Sequence, residues 1–259
     1  MKRFICLTPL AFLAFHVLAQ VGAQPLRIPL NKSDQVVIYT DAVFVDAEGY
    51  DGTDILVSRQ KANGDTSLKK MQLLADNRNI GDSSITYQSK LTNGANDFVF
   101  NNIKIITNCR AIKILIPNHI PLLALEFKTT SSDGRLKVKN YKGPVQIAAY
   151  FSPLEIEGLT GPFNVSDEYG KISVKQIPWS NAAQWDLYKY PYLIRSHSSG
   201  IDIAVPPELK AYFTVRIDKG RVYSDLGLGS DMLMNGGGMG ISVESTSGNI
   251  FLKHENDKQ

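Results

Sequence analysis

The sequence is poor in the residues that most often carry chemistry or cross-links. It holds 2 cysteines and 4 histidines in 259 residues. Cys6 lies in an N-terminal stretch that reads as a removable leader, so Cys109 alone remains and no intramolecular disulfide can close. Cys109 sits in the apolar run 103–116, where a buried inert thiol is favoured over a nucleophile, which would need a histidine beside it. The fold must therefore be held by burial and backbone pairing. Beyond the leader the histidines are His119, His197 and His254, far apart and without ligand spacing, which disfavours a histidine–cysteine metal centre. No nucleophile-elbow pattern surrounds His197-Ser198-Ser199, so solvated loop residues are the better reading there.

An excess of either charge is missing too. The formal net charge is +3, and removing Lys2 and Arg3 with the leader brings it to +1. A nearly neutral chain without a basic run lacks the concentrated positive face that displaces counterions from nucleic acid. Apolar runs long enough to cross a bilayer are absent after the leader. The leader itself has Lys2 and Arg3, an apolar run over 4–18, and small residues at Ala19 and Ala23, the layout of a secretory signal peptide. Cleavage is expected after Ala23, with Ala19 as the second choice. That would leave a mature chain of 24–259, long enough for a sizeable core.

What is abundant is β-strand patterning. Residues 35–39 and 42–45 are rich in β-branched and aromatic side chains, a two-glycine turn tract follows over 48–54, and Ile55-Leu56-Val57 resumes the strand. Strand signals continue over 84–87, 98–100, 103–106 and 111–116. Only 67–76 has helical character, predicting a short helix or a loop. From Leu122 onward one phrase recurs, a glycine followed by apolar residues at every second position. It appears as Gly134-Arg135-Leu136-Lys137-Val138, Gly143-Pro144-Val145-Gln146-Ile147, Gly161-Pro162-Phe163-Asn164-Val165, Gly170-Lys171-Ile172-Ser173-Val174 and Gly248-Asn249-Ile250-Phe251-Leu252. Its glycines follow one another at intervals of nine, twice nine and nine, and wider intervals separate Gly200, Gly220 and Gly248. A unit this small cannot bury its apolar side alone, so neighbours must stack. The pattern predicts an all-β fold, a right-handed parallel β-helix or β-solenoid-like body, with a more irregular β-rich N-terminal part. A sandwich or barrel of antiparallel strands is the alternative, since their turns recur at similar intervals. The expected organisation is a leader over 1–23, the N-terminal part over 24–121 continuous with the body, the body over 122–253, and a polar tail over 254–259.

Two stretches break the rhythm and are predicted to leave the wall as loops. Residues 226–240 are glycine-rich. Residues 177–192 gather both tryptophans, and Trp179, Trp185, Tyr188, Tyr190 and Tyr192 are the candidate binding residues, since exposed flat rings suit a sugar or an extended polymer. Capping of apolar edges is the competing role for them. Other chemistry is thin. Asp167, Glu168, Asp225 and Asp231 could supply oxygen ligands to calcium but lack the spacing of a calcium repeat. The glycines at 236–238 are not followed by the Lys-Ser or Lys-Thr of a phosphate loop. Lys137, Lys139, Lys171 and Lys175 fall at outward positions, which reads as a wet sheet face. The sequence implies no cofactor, no metal and no catalytic constellation.

Residues 199–206, 220–226, 235–238 and 246–252 together resemble the bacterial "putative adhesin" family, exported proteins with repetitive β-strand domains related to the heads of surface adhesins. The likeness extends over about 122–252, and 48–52 resembles the family's earlier strand-turn segment. It implies a Gram-negative source and an exported, non-catalytic adhesin or cell-envelope binding module at the periplasm, outer surface or medium. Its partners would be a surface glycan or an envelope or matrix protein; separately, an exposed coil end is a template for pairing with a second copy, so self-association is expected there. The family supplies no catalytic residues to carry over. A polysaccharide-active enzyme and a structural envelope protein are the rival functions. One departure bears on register: Gly200 is followed directly by Ile201, with no polar residue between them.

Overall fold

The computed structural model describes residues 25–30, 35–60, 83–92, 99–107, 110–129, 131, 133–177, 192–228 and 231–255. The leader, Cys109 and the helix or loop expected over 67–76 lie outside the described residues. Twenty strands and no helix occur among those described. They are β1 (Leu26–Pro29), β2 (Gln35–Thr40), β3 (Phe44–Tyr50), β4 (Asp54–Arg59), β5 (Ser83–Thr92), β6 (Val99–Thr107) and β7 (Ala111–Pro117). Then follow β8 (Leu123–Phe127), β9 (Arg135–Lys139), β10 (Val145–Ala149), β11 (Leu154–Glu157), β12 (Phe163–Asp167), β13 (Ile172–Lys175) and β14 (Tyr192–Ser196). The last are β15 (Ile201–Val205), β16 (Ala211–Lys219), β17 (Val222–Ser224), β18 (Leu233–Met234), β19 (Met239–Ser247) and β20 (Ile250–His254).

The strands form two ten-stranded sheets. The first runs β1-β4-β7-β3-β9-β11-β13-β15-β20-β17, and the second β18-β16-β19-β14-β12-β10-β8-β2-β6-β5. From β6 to β17 each strand lies in the opposite sheet from its predecessor. Their ladders are parallel throughout the body, and antiparallel pairing is confined to the margins, at β1–β4, β4–β7, β5–β6 and β16–β18. Parallel ladders exclude a sandwich of antiparallel strands. Two places break sequential stacking. β2 and β3 lie inside β6 and β7, and the final pair β19 and β20 fills the slot between β14–β15 and β16–β17.

Register explains why the glycine phrase works. Leu136 pairs with Leu154, Leu154 with Ile172, and Val145 with Phe163, in each case one double interval further along the chain. Period-2 alternation then sends the same phrase positions into one interior, so like residues stack in rows. Ile112, Val45, Leu136, Leu154, Ile172, Ile201 and Ile250 form such a row in the first sheet, each at most 2% exposed. Burying each of these side chains contributes about 1.5–3 kcal/mol. The register raised by Gly200 is settled by pairing. Ile201 aligns with Ile172 and Ile250, so Gly200 stands at the station of Lys171, and Ile201, Ile203 and Val205 face inward. The step from Ile172 to its partner Ile201 is longer than the regular one, and the extra chain falls in the aromatic segment.

Corners repeat as faithfully as strands. Asn140, Gly158 and Gln176 directly follow β9, β11 and β13, and all take left-handed φ values of 56°, 63° and 53° where the chain leaves the first sheet. Gly248 (φ 133°) stacks on the previous corner so closely that a Cβ would sit 2.3 Å from the Ser199 carbonyl oxygen. Residues 226–240, expected as a loop leaving the wall, do otherwise: β18 pairs with β16, Met239 opens β19, and Leu226 and Met234 are buried in the core. This segment covers part of one end of the stack because its apolar residues have the terminal layer to bury against.

Candidate binding site

The outward positions of the first sheet carry charge that alternates in sign from strand to strand. Lys113 on β7 is followed by Asp46 and Glu48 on β3, then by Arg135, Lys137 and Lys139 on β9, and by Glu155 and Glu157 on β11. Parallel pairing in register sets opposite charges side by side. Lys113 reaches Glu48 at 2.7 Å, Lys139 reaches Glu48 at 3.3 Å, Lys137 reaches Glu157 at 2.7 Å, and Lys175 of β13 reaches Glu157 at 3.8 Å. The lysines hold the carboxyls of Glu48 and Glu157 below their ordinary range, Lys113 foremost for the first and Lys137 for the second. Lys137 in turn is raised by Glu157. The lysines taken as a simple wet face are therefore half of an ion-pair ladder, in which the glutamates stay ionised.

At the far end of this face the ladder gives way to aromatics. Asp202 of β15, Phe251 of β20 and Tyr223 of β17 stand in one row across three parallel strands. The Tyr223 and Phe251 rings stack with centroids 5.0 Å apart and planes inclined by 11°, and they remain 43% and 37% exposed. They floor an open groove of about 720 Å³ rimmed by Lys171, Asp202, Asp225 and Lys253. Lys171 and Asp202 are paired at 2.6 Å, so two fixed charges and two flat apolar rings meet in one concavity. Flat rings can take the C–H face of a sugar while the charged rim hydrogen-bonds its hydroxyls.

A second exposed pair lies on a corner. Phe151 and Tyr169 stack at 4.7 Å with planes 9° apart, and Tyr150 meets both edge-on. These rings form a ridge, and Lys128 lies 5.5 Å from the Tyr150 ring centre.

No known family model matches the chain, and no curated protein matches it. Among solved structures it is similar to the crystal structure of a "putative cell adhesion protein" from Clostridium sporogenes ATCC 15579, at 12% identity and a TM-score of 0.40, with 90% of this chain and 100% of that chain covered.

The candidate residues named from sequence fare unevenly. Trp179, Trp185, Tyr188 and Tyr190 lie outside the described residues. Tyr192 does not present its ring for binding: it is 2% exposed on β14 and packs edge-on against Phe163 at 5.2 Å. Its inward position follows from the register that sets it beside Ile241, and burial pushes its hydroxyl up to about 12. The acidic residues suggested for calcium do not converge. Asp167 turns inward at a corner, its Oδ1 accepting from the Tyr169 and Gly170 amides. Asp225 accepts from the His254 amide at 2.9 Å, and Asp231 from that of Leu233 at 3.3 Å. Among the described residues no three His, Cys, Asp or Glu side chains gather as metal ligands. The same residues contain no helix long and apolar enough to cross a membrane.

Sequence reasoning missed both exposed aromatic pairs, although a signal for each was present. Phe151 and Tyr169 stand at the same interval as Gly143 and Gly161, and Tyr223 and Phe251 at the same interval as Gly220 and Gly248. Each ring pair therefore follows the phrase that builds its own part of the wall.

Proposed function

We propose that this protein is an exported, non-catalytic adhesin or cell-envelope binding module, a β-solenoid whose aromatic groove holds a glycan chain. The solenoid reading is supported by successive strands alternating between two parallel sheets at a regular spacing. Right-handed winding is the form parallel crossovers prefer. Export is supported by the leader and by the resemblance over 122–252. The non-catalytic part of this reading rests on the sequence, in which no catalytic constellation is recognisable.

The observation that carries the glycan reading is the exposed Tyr223–Phe251 stack, bordered by the Lys171–Asp202 ion pair. Because both rings are already exposed, substituting them leaves the core rows intact and isolates binding from folding. The test is binding of the purified chain to bacterial and host glycans, repeated with Tyr223→Ala and Phe251→Ala. Each substitution is expected to weaken a saturable interaction tenfold or more, a hot-spot loss of about 1.4 kcal/mol or above. A parallel Trp179→Ala/Trp185→Ala chain tests the aromatic segment as the contact. Loss in that chain alone would move the site to the segment, and absence of glycan binding by the parent would overturn the reading.

A further inference from the structure

We propose that edge strand β17 pairs antiparallel with β17 of a second copy of this chain, about a two-fold axis through Tyr223. β17 ends the first sheet, and no strand of the described residues pairs with its outer side. Its inner side is satisfied: the Asp225 amide donates to Leu252 at 3.2 Å, and the Ile250 amide donates to the Arg221 carbonyl at 2.9 Å. Backbone groups alternate in direction along an extended strand, so those of Val222 and Ser224 face away from β20. Val222 is 39% exposed although Ile250, its register partner, is fully buried.

The sequence around this edge is complementary to itself when reversed. With the two Tyr223 residues facing across the axis, Val222 stands opposite Ser224 of the partner subunit and Arg221 opposite Asp225 of the partner subunit. The two 222–224 pairs carry the outward-facing backbone groups, so they become the hydrogen-bonded pairs of the new ladder. Sliding by one residue would set outward-facing groups against inward-facing ones, and sliding by two would lose both Arg221–Asp225 pairings. Arg221, Tyr223 and Asp225 share the outer face, so two ion pairs flank the central tyrosines. This charge complementarity selects a second copy over an unrelated strand.

Nothing described on the second sheet stands in the way at the same corner. β18 covers only Ala211 and Tyr212, at the opposite end of β16 from Gly220. Pairing would join Phe251 and Tyr223 to their counterparts in one four-ring stripe along the outer face. A contact built on so short a strand belongs with the smallest specific interfaces, so the association is weak and concentration-dependent. The proposal does not rest on the glycan reading, because self-association is measured with no glycan present.

Sedimentation velocity over the micromolar to submillimolar range gives the first readout. The parent chain is expected to form dimers, Arg221→Glu to weaken the association at least tenfold, and Arg221→Glu/Asp225→Arg to recover it. The register is read with cysteines. Opposed residues of a non-hydrogen-bonded pair have Cα atoms about 4.5 Å apart, within disulfide range, so Tyr223→Cys should oxidise to a covalent dimer. Val222→Cys should not, because each 222 faces a 224. Both are compared with the parent under the same oxidant. A Tyr223→Cys chain that stays monomeric on oxidation would overturn the proposal, as would undiminished association of Arg221→Glu. Capture of another protein's strand at β17 without self-association would overturn it in favour of a heterologous partner.

Discussion

Asp167 closes the corner after β12 at a cost that can be measured. It is 3% exposed, its Oδ1 accepts from the amides of Tyr169 and Gly170, and its Oδ2 has no hydrogen-bond partner among the described residues. Burial pushes its pKa from 3.8 up to about 6, against the downward pull of those two amides and with a small further push from Glu168. The folded protein therefore binds this proton more tightly than the unfolded chain does. The stabilisation is complete below about pH 4 and is lost as pH rises through about 6, so the ionised group is a net burden at neutral pH. At about 1.4 kcal/mol for each tenfold change in proton affinity, the gap corresponds to about 3 kcal/mol as an upper bound. Asp167→Asn keeps an oxygen acceptor for both amides and removes the charge. Its unfolding free energy at about pH 7.5 should exceed the parent's by about 1–3 kcal/mol, and the advantage should vanish near pH 4. Urea unfolding of both proteins across that range provides the measurement. Comparing the two cancels Glu48 and Glu157, whose lowered pKa values give stability the opposite trend with pH. A variant less stable than its parent at pH 7.5, or a difference that does not change with pH, would refute this account of the corner.

Two further substitutions probe the corners and the charged face. Gly248→Ala places a Cβ against the Ser199 carbonyl at a φ of 133°, and thermal unfolding should show a loss of about 2 kcal/mol or more. An unchanged midpoint would mean the stacked corners separate freely. Glu157→Gln removes the shared partner of Lys137 and Lys175 and should cost about 0.5–1.5 kcal/mol at neutral pH. Because the folded carboxyl has a lowered pKa, this contribution is present above the unfolded value of about 4.5 and fades as pH falls through the folded one. A loss that persists in acid would point to packing as its cause.

The glycine phrase made the core rows readable because each copy carries its inward residues at fixed offsets from its own corner. Leu136 and Ile172 hold equivalent places in two copies and stand in one row, with Leu154, whose strand follows Ser152 in place of a glycine, paired between them. Tyr192 was misread because it ends an aromatic segment in the sequence but begins β14 in space, where pairing with Ile241 turns it inward. The glycines at 236–238 hid a related point. Their flexible character says nothing of Leu226 and Met234, which anchor the segment in the core. Lys137 looked like one solvated charge among several, since Glu157, its partner across the ladder, belongs to the next turn of the chain and not to its own strand.

The sequence alone determined what is local or periodic. Alternating apolar residues dictate strands, scarcity of cysteine leaves burial and pairing to hold them, and recurring glycines mark the corners between them. Which strands become neighbours was decided only in three dimensions. The last pair, β19 and β20, lies between β14–β15 and β16–β17, and that placement makes β17 the end strand of the first sheet among the described residues and brings Phe251 beside Tyr223. No local propensity encodes such an insertion. It depends on which partner best completes ladders and rows on both of its sides, a condition that exists only once the surrounding strands are in place.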